Sequence, residues 1–516
     1  MSATHTERAA TTLADLVRLG AAQSLHGDGS AVVRGVQRDS RRVTPGDLFV
    51  ALPGEHADGR AFVDAAALAG ACGVLTAEPV EGLALPQLLS TDVRRGLARA
   101  AHAVYGEPSQ ALAVVGITGT NGKTTTSYLL EGILARAGKP VSLIGTVAVR
   151  GPGYVTSSGY TTPEADDLVR YLAQAVEAGA THLVMEVSSH GLELERVAYV
   201  RFDVCGFTNL TQDHLDFHPS MEAYGEAKAR LFTEYAPRVS VICVDGEFGA
   251  QLATRAAGEV LRCSVSADDE AELRVASWSM TRAGLRAELH TPGGVFPLQS
   301  PMVGAHNLEN LLVAIGCAAA LGVPWAAAVA ACEQLPGAPG RLERVPSDED
   351  IAVFVDYAHT PDALERTVRA LRALTPGRLI TVFGCGGDRD RGKRPLMAQA
   401  ACGTSDLVVI TSDNPRTEQP ESILDDVERG CGTAAGPTAI ARVVPDELPH
   451  ATRAYTRVLD RRDAISLAVA SARPGDTVLI AGKGHEDYQI LGTTKHPFDD
   501  RVEAARALSA RGKEAR

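Results

Sequence analysis

Short unbroken apolar runs, each closed by a polar or glycine-rich loop, recur along this chain. "ALAVVGI", "THLVMEV" and "FDVCGFT" belong to the middle of the sequence. "IAVFVDYAH", "RLITVFGCGG", "DLVVITSDN" and "DTVLIAGKGHE" repeat the theme after residue 344. Runs with no polar alternation predict strands buried on both faces, as in parallel sheets covered by helices. Between them the apolar spacing turns helical, as in "NLENLLVAIGCAAALG", which ends on a glycine. In the first hundred residues the runs are shorter. "SRRVTPGDLFVALPGEHADG" reads as strand, turn, strand, loop, and "AFVDAAALAGACGVLT" as an alanine-rich helix entering a strand.

The pattern predicts an α/β protein of three domains. An N-terminal α/β domain is expected over residues 1–110, a central parallel-sheet domain over 111–340 and a C-terminal Rossmann-like domain over 341–516, with "LPGAPGRLE" as the second boundary. The closing "ARGKEAR" reads as a frayed charged end.

Composition narrows the classes. The apolar share of 45% and charged share of 22% are ordinary for a globular chain of 516 residues. No apolar run is long enough to span a bilayer, and "MSATHTERAATTLADLV" has no signal-peptide pattern, so a cytoplasmic protein without membrane insertion is expected. Nine cysteines lie singly, with no CxxC pair, which argues for reduced thiols. A net charge of −13 argues against a nucleic-acid partner.

The strand "ALAVVGI" runs into "TGTNGKTTT" and then a helix that turns Leu129, Leu130, Ile133 and Leu134 inward and ends at Gly138. Strand, glycine loop and helix N-terminus make a phosphate cradle, because backbone N–H groups and the helix dipole converge on an anion. Lys123 would reach the β- and γ-phosphates, and the Thr124 hydroxyl would ligate Mg²⁺. The strict GxxxxGK[ST] spacing would need glycine at 117, where this chain has Ile117; the usable glycines are Gly116, Gly119 and Gly122.

The variant "GTNGKT" resembles the ATP loop of the Mur ligase family and of folylpolyglutamate synthetase, enzymes that join a carboxylate to an amine at the expense of ATP. The resemblance to Mur ligases covers nearly the whole chain. It implies that Thr118, Gly119, Thr120, Asn121, Gly122, Lys123 and Thr124 bind the nucleotide. Glu186 in "HLVMEVSSHGLELERV", His214 in "FTNLTQDHLDFH" and Lys228 in "MEAYGEAKARLF" follow in the family's order. Taken singly, each has an ordinary reading: a helix cap, a hydrogen-bonded structural histidine, a solvated lysine. Taken together, the resemblance implies two Mg²⁺ ions. Thr124 and Glu186 would hold one; Glu186, His214 and a carbamylated Lys228 would surround the other. A carbamate would supply oxygens where an ammonium would repel the ion. Asn307 and Asn310 in "GAHNLENLLVA", Arg341 in "GRLERV", and Asp356 and His359 in "VDYAHTPDAL" would line ATP, with Arg341 near the γ-phosphate. Lys123, Lys228, His214, Glu186 and Arg341 form the implied catalytic set. In the family the C-terminal domain closes after ATP binds, so closure is expected here.

The same resemblance implies the substrates. The N-terminal domain is similar to the uridine-binding end of the family member that adds the third residue of the cell-wall peptide, with Ser40 as its contact. Thr161, Thr162, Ser188, Arg196 and Lys228 would hold UDP-MurNAc-L-Ala-D-Glu; Leu194 stands where the family's pattern can carry a polar residue, and since leucine has no side-chain hydrogen bond to offer, that contact is not carried over. Arg389 in "CGGDRDRGKRP", Asp413, Asn414, Pro415 and Arg416 in "SDNPRTEQP", and Gly482 and Glu486 in "AGKGHEDYQ" would read meso-diaminopimelate. An arginine fork suits its distal carboxylate, and a carboxylate suits its distal ammonium. "DNPR" is also a turn former in its own right. The reaction implied is amide formation through an acyl phosphate, by a monomer in cytoplasmic peptidoglycan precursor synthesis. An L-lysine-adding relative and a folylpolyglutamate synthetase are the alternatives within this chemistry, and a P-loop regulatory or transport ATPase is the alternative outside it.

Overall fold

The structure is a computed structural model and describes residues 10–54, 58–266, 270–347, 350–431 and 440–514. Residues 1–9, on which part of the leader reading rests, lie outside it. The fold is α/β, with three main sheets that correspond to the three-domain architecture expected.

The first sheet contains β1 (Ser24–His26), β2 (Gly35–Gln37), β3 (Asp47–Val50), β4 (Gly73–Thr76) and β5 (Gln87–Leu89) in the order β1-β5-β4-β3-β2. The segment Ser40–Arg42, expected to be a strand, is a single 3₁₀ turn. Asp39 accepts a hydrogen bond from Arg41 N (3.1 Å), which caps a turn and ends the extended chain. The core of this sheet includes Ala165 and Val169 of the helix Ala165–Glu177, which belongs to the next domain. Arg38 and Arg42 add ion pairs to Asp166 (3.3 Å) and Asp167 (2.7 Å).

The central sheet contains β6 (Ala113–Thr118), β7 (Val141–Ile144), β8 (Val149–Gly151), β9 (Tyr154–Thr156), β10 (His182–Glu186), β11 (Val204–Phe207), β12 (Val239–Cys243) and β13 (Glu259–Ser264). β6 lies between β10 and β11, and the run β13-β12-β11-β6-β10-β7 is parallel throughout. The chain passes from β6 to β7 and β10 on one side and then crosses to β11 on the other, so a crevice forms beyond the carboxyl end of β6, where open α/β sheets bind ligands. The helix Lys123–Arg136 follows β6 and buries Leu129, Leu130, Ile133 and Leu134, as the spacing predicts.

Chain contacts divide the molecule into two compact units. One takes in Met1–Val275, His290–Val295 and Glu309–Ala331; the other takes in Ala276–Leu289, Phe296–Leu308 and Cys332–Arg516. The division runs through β14 (Leu273–Thr281), β15 (Gly284–Thr291) and β16 (Gly294–Ser300).

The second unit is built on β17 (Glu343–Val345), β18 (Ala352–Asp356), β19 (Leu379–Cys385), β20 (Leu407–Ser412), β21 (Ala441–Arg442), β22 (Ala454–Arg457) and β23 (Thr477–Ala481). The order is β17-β18-β23-β19-β20-β22-β21, parallel except for β17. β23, β19 and β20 are neighbours, so the loops that follow them emerge side by side. The expected frayed end is instead helical: Asp500–Glu514 is one helix, and Arg511 Nη1 ties it to Val469 O (3.1 Å). Ala515 and Arg516 lie outside the described residues.

Among the described residues, which include all nine cysteines, there is no disulfide bond. Among the described residues no helix is long and apolar enough to cross a membrane.

Candidate functional site

The mismatch with the strict phosphate-loop pattern has a structural reason. Ile117 is the penultimate residue of β6 and is fully buried, so the loop starts after Thr118. The two glycines that shape it are Gly119 and Gly122, at φ +149° and +88°. A Cβ on Gly119 would stand 1.9 Å from Thr208 Oγ1, and one on Gly122 would stand 2.1 Å from Asn310 Oδ1. Asn310, expected near the nucleotide, therefore packs on the loop itself and accepts from Thr126 Oγ1 (3.3 Å). Asn209, which the sequence reading missed, pins the loop: its carbonyl accepts from Thr120 N (2.8 Å) and its Oδ1 from Asn121 N (3.0 Å).

Two lysines converge on this loop. Lys123 Nζ donates to Gly119 O (2.9 Å) and Thr120 O (3.0 Å). Lys228, from the helix Met221–Thr233, donates to the same Gly119 O (2.9 Å). Lys228 is buried, and burial, then the Lys123 charge, hold its amine well below the usual lysine range. Neither backbone pattern nor composition predicts that pairing.

Glu186 closes the carboxyl end of β10, in register with Ile117, and is 1% exposed. Its Oε2 accepts from Thr124 Oγ1 (2.9 Å) and Thr146 Oγ1 (3.0 Å), and its Oε1 from Thr146 N (2.8 Å). Thr146 is a second residue the sequence did not single out. It extends the line to Thr161, whose hydroxyl lies 2.9 Å from its own. Thr162 Oγ1 follows, 3.1 Å from Ser188 Oγ, and Arg196 Nη1 donates to Thr162 O (3.0 Å). Arg196 is held by Glu164 (2.8 Å) and lies over the Tyr160 ring. Ser188 also caps the short helix Ser189–Glu193 through Gly191 N (3.0 Å). Ser40 is half-buried at the start of its 3₁₀ turn in the first sheet.

His214 falls into an aromatic cluster rather than onto Glu186. Its ring is 4.9 Å from that of His190 and 5.9 Å from that of Tyr224, and its φ is +53°. His218 contacts Ser189 Oγ (2.9 Å). Burial pushes all three imidazoles down, His190 to about 4, which favours their neutral forms. Among the described residues no group of three or more His, Cys, Asp and Glu side chains is gathered as a metal site. Of the expected ligand set, Thr124 and Glu186 are brought into contact, while His214 makes no hydrogen bond to Glu186 or Lys228.

In the second unit, Asp356 ends β18 and accepts from Leu342 N (2.7 Å), Ala358 N (3.0 Å) and Thr367 Oγ1 (3.2 Å). It thus fixes the turn that carries Arg341, whose guanidinium lies over the Tyr357 ring at 4.6 Å. His359 meets the same Tyr357 ring edge-on, with centroids 4.5 Å apart, and is exposed. Asn307 donates to Val303 O (2.7 Å).

The loops after β19, β20 and β23 bring together Asp413, Asn414, Pro415, Arg416, Gly482 and Glu486. Asn414 Nδ2 donates to Glu486 Oε2 (2.9 Å). Arg416 adopts φ +52° and donates to Gly387 O (2.8 Å), and its backbone bridges to Leu491 of β24 (Tyr488–Leu491). Arg389, in the β19 loop, is solvent-exposed. Lys483 is fully buried under this cluster and was not anticipated.

Comparison with known proteins adds three family matches: the Mur ligase family catalytic domain over residues 32–105, the Mur ligase middle domain over 117–318 and the Mur ligase glutamate ligase domain over 340–484. A protein of Gloeobacter violaceus named UDP-N-acetylmuramoyl-L-alanyl-D-glutamate--2,6-diaminopimelate ligase is 48% identical, over 93% of this chain and 94% of its own. A Geobacter metallireducens protein of the same name is 44% identical, over 97% and 99%. A solved structure of a ligase of that name superposes with a TM-score of 0.70 at 33% identity, covering 98% of this chain and 100% of its own.

Proposed function

The chain belongs to the Mur ligase family, and from that premise we propose that it joins UDP-MurNAc-L-Ala-D-Glu to meso-diaminopimelate at the expense of ATP. The observation that carries the reaction type is the contact of Thr124, on the phosphate-loop helix, with Glu186 beside the Thr146–Thr161–Thr162–Arg196 line. It sets a nucleotide cradle against a polar surface suited to a peptide carboxylate.

A carboxylate does not acylate an amine in water, because oxide is not a leaving group. Transfer of the γ-phosphoryl group of ATP to a D-Glu carboxylate oxygen gives an acyl phosphate and ADP. The substrate amine, having lost a proton, attacks the acyl carbon. The tetrahedral adduct expels inorganic phosphate, which carries away one carboxylate oxygen. Lys123 and the N–H groups of residues 119–124 offset charge on the moving phosphoryl group. Arg196, steadied by Glu164, orients the peptide, and fixed positioning of both reactants supplies several kcal/mol of the barrier reduction.

Thr124 and Glu186 present hard oxygens within 2.9 Å of each other, which fits Mg²⁺. When bound, the ion would neutralise phosphate charge there. Lys228 is assigned to carbamylation, which requires a neutral amine; its burial and its hydrogen bond to the phosphate loop support this reading. Isotope-labelled bicarbonate should give a carbamate resonance on the wild type that Lys228→Ala lacks. Arg341, Asp356, His359 and Asn307 are assigned to the nucleotide, and Ser40 to the uridine end, on the family's pattern. The enzyme acts as a cytoplasmic monomer in this reading. The residues of the "DNPR" turn, with Gly482, Glu486 and Arg389, take the diaminopimelate.

The decisive assay uses UDP-MurNAc-L-Ala-D-Glu labelled with a heavy oxygen isotope in its terminal carboxylate. One labelled oxygen is expected in the phosphate released with diaminopimelate. Label retained wholly in the peptide product would refute the acyl-phosphate route.

A further inference from the structure

Lys483 carries a charge that the mechanism above does not use. Its side chain is fully buried, where an unpaired ammonium would cost several kcal/mol. Its amine has three hydrogens to give. The acceptors are Asp413 Oδ1 (3.4 Å), Asn414 Oδ1 (3.1 Å) and Glu486 Oε2 (3.2 Å).

That arrangement decides which way the Asn414 amide faces. Its Oδ1 accepts from Lys483 and from Ile490 N (2.9 Å), so its Nδ2 is turned onto Glu486 Oε2 (2.9 Å). Glu486 is thereby held through one oxygen by two donors. Asp413 is steadied from the other side, its carbonyl accepting from Gln489 Nε2 (2.7 Å). The nearby Arg461 makes no hydrogen bond to this net: its guanidinium pairs with the buried Asp500, at 2.8 and 2.7 Å, while its charge also acts on Asp413 and Glu486.

Charge gives the net a second consequence. Asp413 and Glu486 share one buried ammonium, so these three side chains together carry one negative charge rather than two, at strand ends that also carry Arg389 and Arg416. A substrate side chain ending in both an ammonium and a carboxylate is neutral overall, whereas one ending in an ammonium alone is cationic. Two uncompensated carboxylates in a poorly solvated corner would draw the cation and repel the carboxylate.

We propose that Lys483 is a positioning and specificity-determining residue for the amino-acid substrate: it fixes Asn414 and Glu486 and biases the pocket toward a zwitterionic side-chain end over a simply cationic one. This rests on the function proposed above.

The test is steady-state kinetics by phosphate release, with diaminopimelate and L-lysine as competing acceptors, on the wild type, Lys483→Met and Lys483→Arg. Lys483→Met should raise the KM for diaminopimelate roughly tenfold or more and lower the diaminopimelate-to-lysine ratio of kcat/KM by about the same factor. The KM for ATP should change less than that for diaminopimelate, since the hydrogen bonds of Lys483 go to Asp413, Asn414 and Glu486 and not to the residues assigned to the nucleotide. Lys483→Arg, which keeps the charge, should retain most of the discrimination. If Lys483→Met does not fold, the double variant Lys483→Met/Glu486→Gln removes the ammonium and one carboxylate together; it should fold and, with Asp413 and Asn414 no longer held by the ammonium, favour diaminopimelate over L-lysine less than Glu486→Gln alone does. An equal loss of kcat with both amino acids and an unchanged ratio would overturn the proposal. So would a double variant that is unfolded or that discriminates as well as Glu486→Gln. A wild type inert with diaminopimelate would instead overturn the function on which the inference rests.

Discussion

Gly122→Ala tests the phosphate loop most directly. Gly122 has φ +88° and precedes the helix Lys123–Arg136. An alanine there meets two separate penalties. The left-handed backbone costs a residue with a Cβ about 1–2 kcal/mol. The new methyl would also lie 2.1 Å from Asn310 Oδ1 and 3.0 Å from its Cγ, so Asn310 must move and give up its bond from Thr126 Oγ1. A lost neutral hydrogen bond adds about 1 kcal/mol. Together these come to about 2–3 kcal/mol against the loop conformation that the nucleotide requires, which is roughly 30- to 150-fold in kcat/KM for ATP. Gly138 supplies the control at the far end of the same helix. Its φ is +72°, but a Cβ there meets nothing within 4 Å. Gly138→Ala should carry the backbone cost alone, remote from the loop, and leave ATP kinetics within about twofold. The assay is phosphate release against ATP concentration with the other substrates saturating. A Gly122→Ala enzyme with wild-type kcat/KM for ATP, or one matched by Gly138→Ala, would refute the reasoning.

Three further outcomes are expected. Arg416→Ala should raise the KM for diaminopimelate by about one to two orders of magnitude, the worth of a hydrogen-bonded charge, and spare ATP; unchanged amino-acid kinetics would remove Arg416 from that role. Thr124→Val deletes the hydroxyl 2.9 Å from Glu186 Oε2 and should lower activity on the order of 10- to 100-fold while raising the Mg²⁺ concentration needed for half-maximal rate; a Mg²⁺ response identical to wild type would count against Thr124 as a ligand. The carboxyl of Glu309 is pushed up to about 7 from 4.5 by burial and then by the charge of Asp245, so the folded chain keeps a proton that the unfolded chain has already lost. The stability it contributes is present below about pH 4.5 and lost as pH rises toward 7. Glu309→Gln should therefore gain in melting temperature over wild type at about pH 8 relative to about pH 5, and a pH-independent difference would exclude this titration.

The local pattern of the chain was enough for its elements. Unbroken apolar runs marked β6, β10, β11, β18, β19, β20 and β23 because a strand covered on both faces has no polar positions to interrupt it. The glycine loop and the helix after it were legible for the same reason: their requirements lie within a dozen or so consecutive residues. The stretch Ser40–Arg42 failed because one carboxylate, Asp39, turned an apparent strand into a capped turn. The C-terminal tail failed because its helix is anchored by Val469 O, 42 residues away in sequence.

What only the tertiary structure decided is the company each side chain keeps. Thr146 reaches Glu186 across 40 residues, Asn209 holds Asn121 across 88, Lys228 finds Gly119 across 109, and Lys483 meets Asn414 across 69. No period or spacing carries such pairings, because parallel strands place distant loops side by side through crossovers whose lengths leave no mark on local sequence. The sequence by itself determined which strands, loop and helix exist, since burial and backbone geometry act on neighbours; the sheet order determined which of their ends meet, since a parallel sheet collects the ends of its strands along one edge.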